Sequence, residues 1–138
     1  SKYTRKMSSP SNPANRDDSF PHVDYALARR RILRDFRRGI LTSLDVCDAH
    51  PELLRVATHH GTPTGRDCPI CADKDTQIHL VEVSYLYGSK LGKSSGRPVT
   101  EYNQLEEADS KGKFFHRYLV EVCTNCKWNF LVRREDHN

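Results

Sequence analysis

The stretch Val120-Glu121-Val122-Cys123-Thr124-Asn125-Cys126-Lys127-Trp128-Asn129 decides the reading of this chain. It sets a Cys-x-x-Cys turn between two runs of β-branched and aromatic residues. A second turn of the same spacing, Cys68-Pro69-Ile70-Cys71, lies upstream. In such a knuckle the short turn aims both sulfurs at one point, and backbone N–H groups donate to the thiolates. Two knuckles supply the four ligands of a tetrahedral Zn²⁺ site, here Cys68, Cys71, Cys123 and Cys126. A four-thiolate site leaves no position for water, so it builds a fold and does not cleave a substrate. The competing readings are a pair of disulfides, unrelated thiols, or a thioredoxin-like redox motif, which one pair alone would fit better than two.

Outward from the knuckles, the alternation of side chains predicts strands. Thr76–Tyr87 (TQIHLVEVSYLY) reads as one, with a break in alternation near Leu80-Val81 that marks a bulge or burial on both faces. Phe114–Val122 reads as a second, with Phe114, His116, Tyr118, Val120 and Val122 on one face. Lys127–Arg133 reads as a third, carrying Trp128, Phe130 and Val132. Trp128, Phe130 and Phe114 are the aromatic residues considered as base-stacking platforms, against the simpler reading that they are core. The 51 residues between Cys71 and Cys123 exceed ribbon spacing, so residues 88–110 are an insertion: a flexible basic loop, then a short acidic helix.

Upstream, helical periodicity takes over. Residues 23–38 place Tyr25, Ala28, Ile32, Leu33 and Phe36 on one side, with Ile40 following. Arg30, Arg31, Arg34, Arg37 and Arg38 fall on the other, and Gly39 closes the helix. Thr42 and Asp45 form a capping box for a short helix. Pro51 opens a third helix that ends near Gly61. Leu44, Val46, Leu53, Leu54 and Val56 are expected to face the first helix, and Cys47 reads as a small buried apolar residue far from the knuckles. His50, His59 and His60 read as surface or capping residues. Residues 1–21 are polar, with three prolines, and read as a disordered tail.

The expected fold class is therefore α+β. A three-helix module over 22–61 precedes a three-stranded antiparallel zinc ribbon over 62–138, which carries the 88–110 insertion. With 36% hydrophobic residues in 138, the core is thin, and a metal bound only by the folded chain stabilises it directly. No apolar run approaches the length of a membrane span, and no secretory h-region is present, so a reducing cytoplasm is expected.

Net charge is +4, but its distribution matters more. Six arginines lie in residues 22–41. Lys90, Lys93 and Arg97 lie in residues 88–100 with no acid, and four acids follow in 101–110. Such alternation suits docking on a large assembly of mixed charge. Arginine forks hold phosphate and carboxylate in two-pronged contacts, so Arg30, Arg31, Arg34, Arg37, Arg38, Lys90, Lys93 and Arg97 are the expected partner or nucleic-acid surface. Enzyme signatures are missing. There is no Ser-His-Asp pattern, no His-Glu-x-x-His, no glycine-rich nucleotide loop, and no His-x-Glu ahead of the first Cys pair as deaminases need.

Tyr25-Ala26-Leu27-Ala28-Arg29-Arg30-Arg31, Val46-Cys47-Asp48-Ala49, Leu53-Leu54-Arg55, the first knuckle, Leu86-Tyr87-Gly88 and the second knuckle together resemble a small actinobacterial family catalogued as a domain of unknown function. The resemblance spans about residues 22–134 and implies a cytoplasmic protein without naming an activity. The C-terminal half is separately similar to zinc ribbons of transcription and translation proteins, a likeness at fold level only. The leading expectation is a non-catalytic accessory factor docking on RNA polymerase or its nucleic acid. The alternative is a ribosome-associated stress or assembly factor binding rRNA. A third class is a zinc- or redox-responsive regulator.

Overall fold

The structure, a computed structural model, describes residues 20–71, 78–101, 104–110 and 114–137. The predicted tail lies mostly outside the described residues, as does part of the insertion. Among the described residues, six strands form one antiparallel sheet: β1 (His22–Asp24), β2 (Thr62–Asp67), β3 (His79–Tyr87), β4 (Arg97–Pro98), β5 (Phe115–Val122) and β6 (Asn129–His137). The order is β1-β6-β5-β3-β2, with β4 alongside the part of β3 that β2 leaves uncovered. Four α-helices among the described residues accompany it: α1 (Ala26–Arg37), α2 (Ser43–Val46), α3 (Pro51–His60) and α4 (Gln104–Ser110).

The α+β class stands. The three strands read from alternation are β3, β5 and β6, and β5 pairs with both others. Three further strands extend the sheet beyond that expectation. β2 occupies a segment of Pro, Gly and polar residues that carries no strand alternation. It tolerates them because it is an edge strand and breaks register between Pro63 and Asp67, with Gly65 at φ +75° inside the break. The irregularity faces Leu80, where the alternation of β3 breaks in the sequence. β1 takes Val23 and Asp24 out of the predicted first helix, which starts only at Ala26, whose N–H donates to the Asp24 carboxylate at 2.6 Å.

The helices do not form a module of their own. α1 buries Leu33 against Leu80 and Trp128 on one face of the sheet, while α3 buries Val56 and Ala57 against Val83 and Val122 on the other. The expected packing of Leu53, Leu54 and Val56 on the first helix is thus replaced by packing on β-strand valines. Leu44 and Ile40 are solvent-exposed. The physical reason is area: a sheet face offers more apolar surface than a second helix of ten residues. Two local devices read from the sequence are present. Asp45 accepts the Thr42 N–H at 2.8 Å, and Gly39, at φ +78°, ends α1. Gly61 has a tighter duty. A Cβ there would lie 2.5 Å from the Ala57 carbonyl and 2.7 Å from Val81, so only glycine lets α3 hand over to β2.

The insertion is less loose than expected. Residues Ser89–Ser94 form a 3-10 segment, and β4 returns along β3. Leu91, Val99, Leu105 and Ala108 close a satellite core over Leu86 and Phe115. At the start of the described chain, Phe20 stacks on His137 at 3.9 Å, and the Pro21 carbonyl accepts from Asp136 N–H, so residues 20 and 21 belong to the fold, not to a tail.

The α1-side face of the sheet carries charge as well as apolar groups. Glu135, fully buried, accepts from Arg117 (3.3 Å) and Arg133 (3.2 Å) and contacts the His137 ring nitrogen at 2.9 Å. Burial pushes the Arg117 guanidinium below its usual range, and Glu135 opposes that. Nearer the cysteines, the buried Glu121 accepts from Arg29 Nε (2.7 Å) and Trp128 Nε1 (2.8 Å), and Arg66 bridges Glu121 to Glu82. Breaking a buried pair leaves the survivor uncompensated, at a cost of about 3–5 kcal/mol. Glu121→Leu is therefore expected to lose about 3–5 kcal/mol of stability; a urea midpoint unchanged from the parent would remove Glu121 from this role.

Candidate metal centre

The two knuckles are separated by more than fifty residues yet open toward each other, because the neighbouring strands β3 and β5 bring them to one end of the sheet. The first follows β2, where Cys68 N–H donates to the Ile78 carbonyl at 2.8 Å. The second is the turn between β5 and β6. It is closed by Cys123 N–H on Trp128 O (2.8 Å) and Lys127 N–H on Cys123 O (2.9 Å), and Lys127 takes φ +77° to make the turn.

The Sγ atoms of Cys68, Cys71, Cys123 and Cys126 all lie within 4.8 Å of one another. Cys68 and Cys126 sulfurs are 3.7 Å apart, and Cys71 and Cys123 sulfurs 3.9 Å. A tetrahedral ion with metal–sulfur bonds of about 2.3 Å sets its sulfurs about 3.8 Å apart, so the donor set fits such an ion. Cys68, Cys71 and Cys123 are buried, within a core of Leu33, Val46, Leu80 and Trp128. N–H groups point at the sulfurs: Cys126 N–H to Cys123 Sγ (3.4 Å), and Asn125 Nδ2 to Cys71 Sγ (3.6 Å). This is the four-cysteine cluster expected from the sequence.

The fifth cysteine corrects an expectation. Cys47 is not remote: its sulfur lies 3.6 Å from that of Cys126. The segment after α2 is tied to the second knuckle by Ala49 N–H on Lys127 O (3.0 Å) and Asn129 Nδ2 on Asp48 Oδ1 (3.0 Å). Nothing local in the sequence signals this, because the ties are made by backbone and by residues some eighty positions apart.

Burial raises the Cys68 thiol to about 12 and raises Cys126 and Cys47, each against some hydrogen-bond help. Burial also acts on Cys71, but donors led by Asn125 outweigh it and lower that thiol. Cys68 and Cys126 therefore hold their protons at neutral pH until an ion displaces them.

The expected cationic residues all lie at the surface. Arg30, Arg31, Arg34, Arg37 and Arg38 are exposed along α1 and at its end, Lys90 and Lys93 are exposed in the segment between β3 and β4, and Arg97 is exposed in β4 itself. The two groups sit on different elements and are not brought into one site. Arg29, in the same run, instead turns inward to Glu121. Of the aromatic candidates, Trp128 is buried and stacks on Phe130 as core, while Phe114 is about half exposed. His50 caps α3 by accepting the Glu52 N–H at 3.1 Å, and His59 and His60 end that helix. No helix among the described residues is long and apolar enough to cross a membrane.

Residues 18–135 match the model of a family described as "Family of unknown function (DUF5318)". The chain belongs to this DUF5318 family. Its relatives include uncharacterized protein Mb0050 of Mycobacterium bovis and uncharacterized protein Rv0049 of Mycobacterium tuberculosis. Each is 39% identical over 111 residues, covering 80% of this chain and 77% of the relative. No solved structure matches. The resemblance to a small actinobacterial family of unknown function, read from the joint motifs between residues 22 and 134, is thereby confirmed.

Cys123→Ser is expected to drop bound metal from one ion per chain to a small fraction, read by elemental analysis after desalting, whereas Cys47→Ala keeps it; equal loss in both would make Cys47 a ligand. Thiolate ligation also sets the pH dependence. Because Cys68 and Cys126 must ionise and are pushed up, metal binding releases protons, and affinity falls as the pH drops from about 8 to about 6. Competition with a chromophoric chelator at each pH reads that affinity, and pH-independent affinity would exclude thiolate ligation.

Proposed function

We propose that this protein is a non-catalytic, zinc-stapled accessory factor of the cytoplasm that docks on the transcription machinery, with RNA polymerase as its partner. The observation that carries the reading is the exposed arginine row of α1, mounted on a helix whose other side is anchored beside the cysteine cluster. Zinc is the ion favoured by four sulfurs in tetrahedral spacing with N–H donors around them, and bound there it supplies cross-linking and no open coordination position. The described elements then act as a rigid mount. Leu33, Ile32 and Phe36 fix the helix, and Arg30, Arg31, Arg34, Arg37 and Arg38 project phosphate- and carboxylate-seeking forks. In this reading the β3-β5-β6 strands and the two knuckles serve as a zinc ribbon, and the 88–110 insertion adapts it to its partner.

Affinity capture from lysate, with and without nuclease, tests the partner. Polymerase subunits that survive nuclease support the proposal; ribosomal proteins with rRNA support the ribosomal alternative instead. Replacing Arg30, Arg34 and Arg37 by Glu is expected to weaken capture at least tenfold with a melting temperature within a few degrees of the parent, since exposed charges contribute little to stability. Undiminished capture would reduce the arginine row to a solvated face.

A second reading, a redox-responsive regulator, is favoured by one observation, the 3.6 Å approach of Cys47 to Cys126. Hydrogen peroxide oxidises one of these thiols to a sulfenic acid, releasing water. The other thiol then displaces a second water to form the disulfide, and the four-sulfur set loses a ligand. Peroxide is expected to release zinc several-fold more slowly from Cys47→Ala than from the parent, followed with a zinc dye. Identical release rates would remove Cys47 from any sensing role.

A further inference from the structure

The chain has five cysteines, and all five sulfurs gather at one end of the sheet. A tetrahedral ion takes four, so one sulfur is surplus. The surplus sulfur, Cys47, stands 3.6 Å from Cys126. That is no farther than the ligand sulfurs stand from each other, at 3.7 Å for Cys68 and Cys126 and 3.9 Å for Cys71 and Cys123. Cys47 packs against the same core as the ligands, yet it does not belong to the set of four whose sulfurs all lie within 4.8 Å of one another. It sits one sulfur contact outside the coordination sphere.

The fold holds Cys47 in that place from both sides. Val46 before it is buried in the core around the cysteines, and the Cys47 N–H donates to the Ser43 carbonyl at 2.8 Å. After it, Asp48 and Ala49 are tied to Asn129 and Lys127, the residues that follow Cys126 in the second knuckle. Backbone position is therefore fixed against the knuckle, and only the side chain of Cys47 has to turn to bring its sulfur toward the ion.

Burial divides the five sulfurs. Cys68, Cys71 and Cys123 are buried under Leu33, Leu80 and Trp128, whereas Cys126 and Cys47 are both half-buried. Among the described residues, the site thus meets solvent at the two cysteines that touch each other. A closed thiolate site still needs a path for its ion. An arriving ion meets Cys126 and Cys47 together, and a departing ion has a fresh sulfur beside the first bond that breaks.

We propose that Cys47 is an exchangeable fifth ligand, through which the centre loads and releases its ion. In the exchange the metal–sulfur bond to Cys126 breaks as one to Cys47 forms. The Cys47 thiol proton passes to the Cys126 sulfur, so four thiolates remain on the ion and no oxidation state changes. Cys68, Cys71 and Cys123 keep their bonds, and the two knuckles stay joined throughout. The inference rests on the metal reading of the four-cysteine cluster. It needs neither the polymerase partner nor an oxidant.

The test uses the full chain loaded with one Zn²⁺ or Co²⁺, without oxygen and with a phosphine reductant, so that disulfide chemistry contributes nothing. Under excess EDTA, Cys47→Ala is expected to release its ion several-fold more slowly than the parent, from the same starting content of one ion per chain. Cys126→Ala is expected to keep its ion, and its Co²⁺ form to keep the sulfur-to-cobalt absorption of four thiolates, because Cys47 takes the vacated position. The double variant, Cys47→Ala with Cys126→Ala, loses most of the ion. A parent that binds no metal overturns the metal reading and this inference with it. A loaded parent overturns the inference alone if Cys47→Ala releases its ion at the parental rate, or if a folded Cys126→Ala loses as much metal as Cys123→Ser. If Cys126→Ala does not fold, the Cys47→Ala release rate decides by itself.

Discussion

Four sulfurs from two turns far apart in sequence must converge on one point, and that convergence constrains nearly every other element. The first knuckle can meet the second only if β3 lies beside β5 with Val81 opposite Val122, because that register brings the two turns to the same end of the sheet. One residue of slip would move the knuckles out of reach and turn Leu80 and Glu121 to the wrong face. The hydrophobic pattern and the ligand geometry therefore specify the same register. Leu33, Val46, Leu80 and Trp128 pack directly around the cysteines, so the metal centre and the main core are one structure.

A second constraint is electrostatic. A chain this small and this charged has too few apolar residues to fill the α1-side face of the sheet. It uses ion pairs instead, and Glu121, Glu135, Arg117 and Arg133 are buried almost completely. Each has a partner of opposite charge or a donor at hydrogen-bond distance. Such networks add little net stability compared with an apolar core. They are costly when mispaired, which penalises alternative registers of β5 against β6. Trp128 joins the network to the knuckle by donating to Glu121 one turn away from its own cysteines.

This explains which parts of the fold were legible in sequence. The cysteine ligands were readable because knuckle spacing is local, and β3, β5 and β6 because alternation is local. The faces were harder. On β5 the alternate set His116, Tyr118, Val120 and Val122 is as hydrophobic as Phe115, Arg117, Leu119 and Glu121, and only tertiary pairing shows that the charged set is the more buried. β2 was obscured by its Pro and Gly, which an edge strand accepts. Cys47 was misjudged because its ties to the second knuckle run through backbone groups of Ala49 and Lys127. The arginine row was read from helical period alone, since its exposure depends on nothing else. The tyrosines on the α3 side of the sheet were not read as a group: Tyr85, Tyr87 and Tyr118 look like ordinary strand residues until β3 and β5 are paired.

The two surfaces left over by this construction are not equivalent, and their separation carries an argument. α1 reaches the sheet through Leu33 and the Arg29–Glu121 pair on one face, whereas the tyrosines lie on the other, beyond α3. Glu121 and Val122 are consecutive residues of β5, so the anchor of α1 and the floor beneath α3 are fixed by the same strand. The sheet thus separates two chemically different faces, an arginine row on one side and tyrosines on the other. Metal release would loosen both faces together, because Cys123 ends that strand. Cys47 lies against the same site, its sulfur 3.6 Å from that of Cys126.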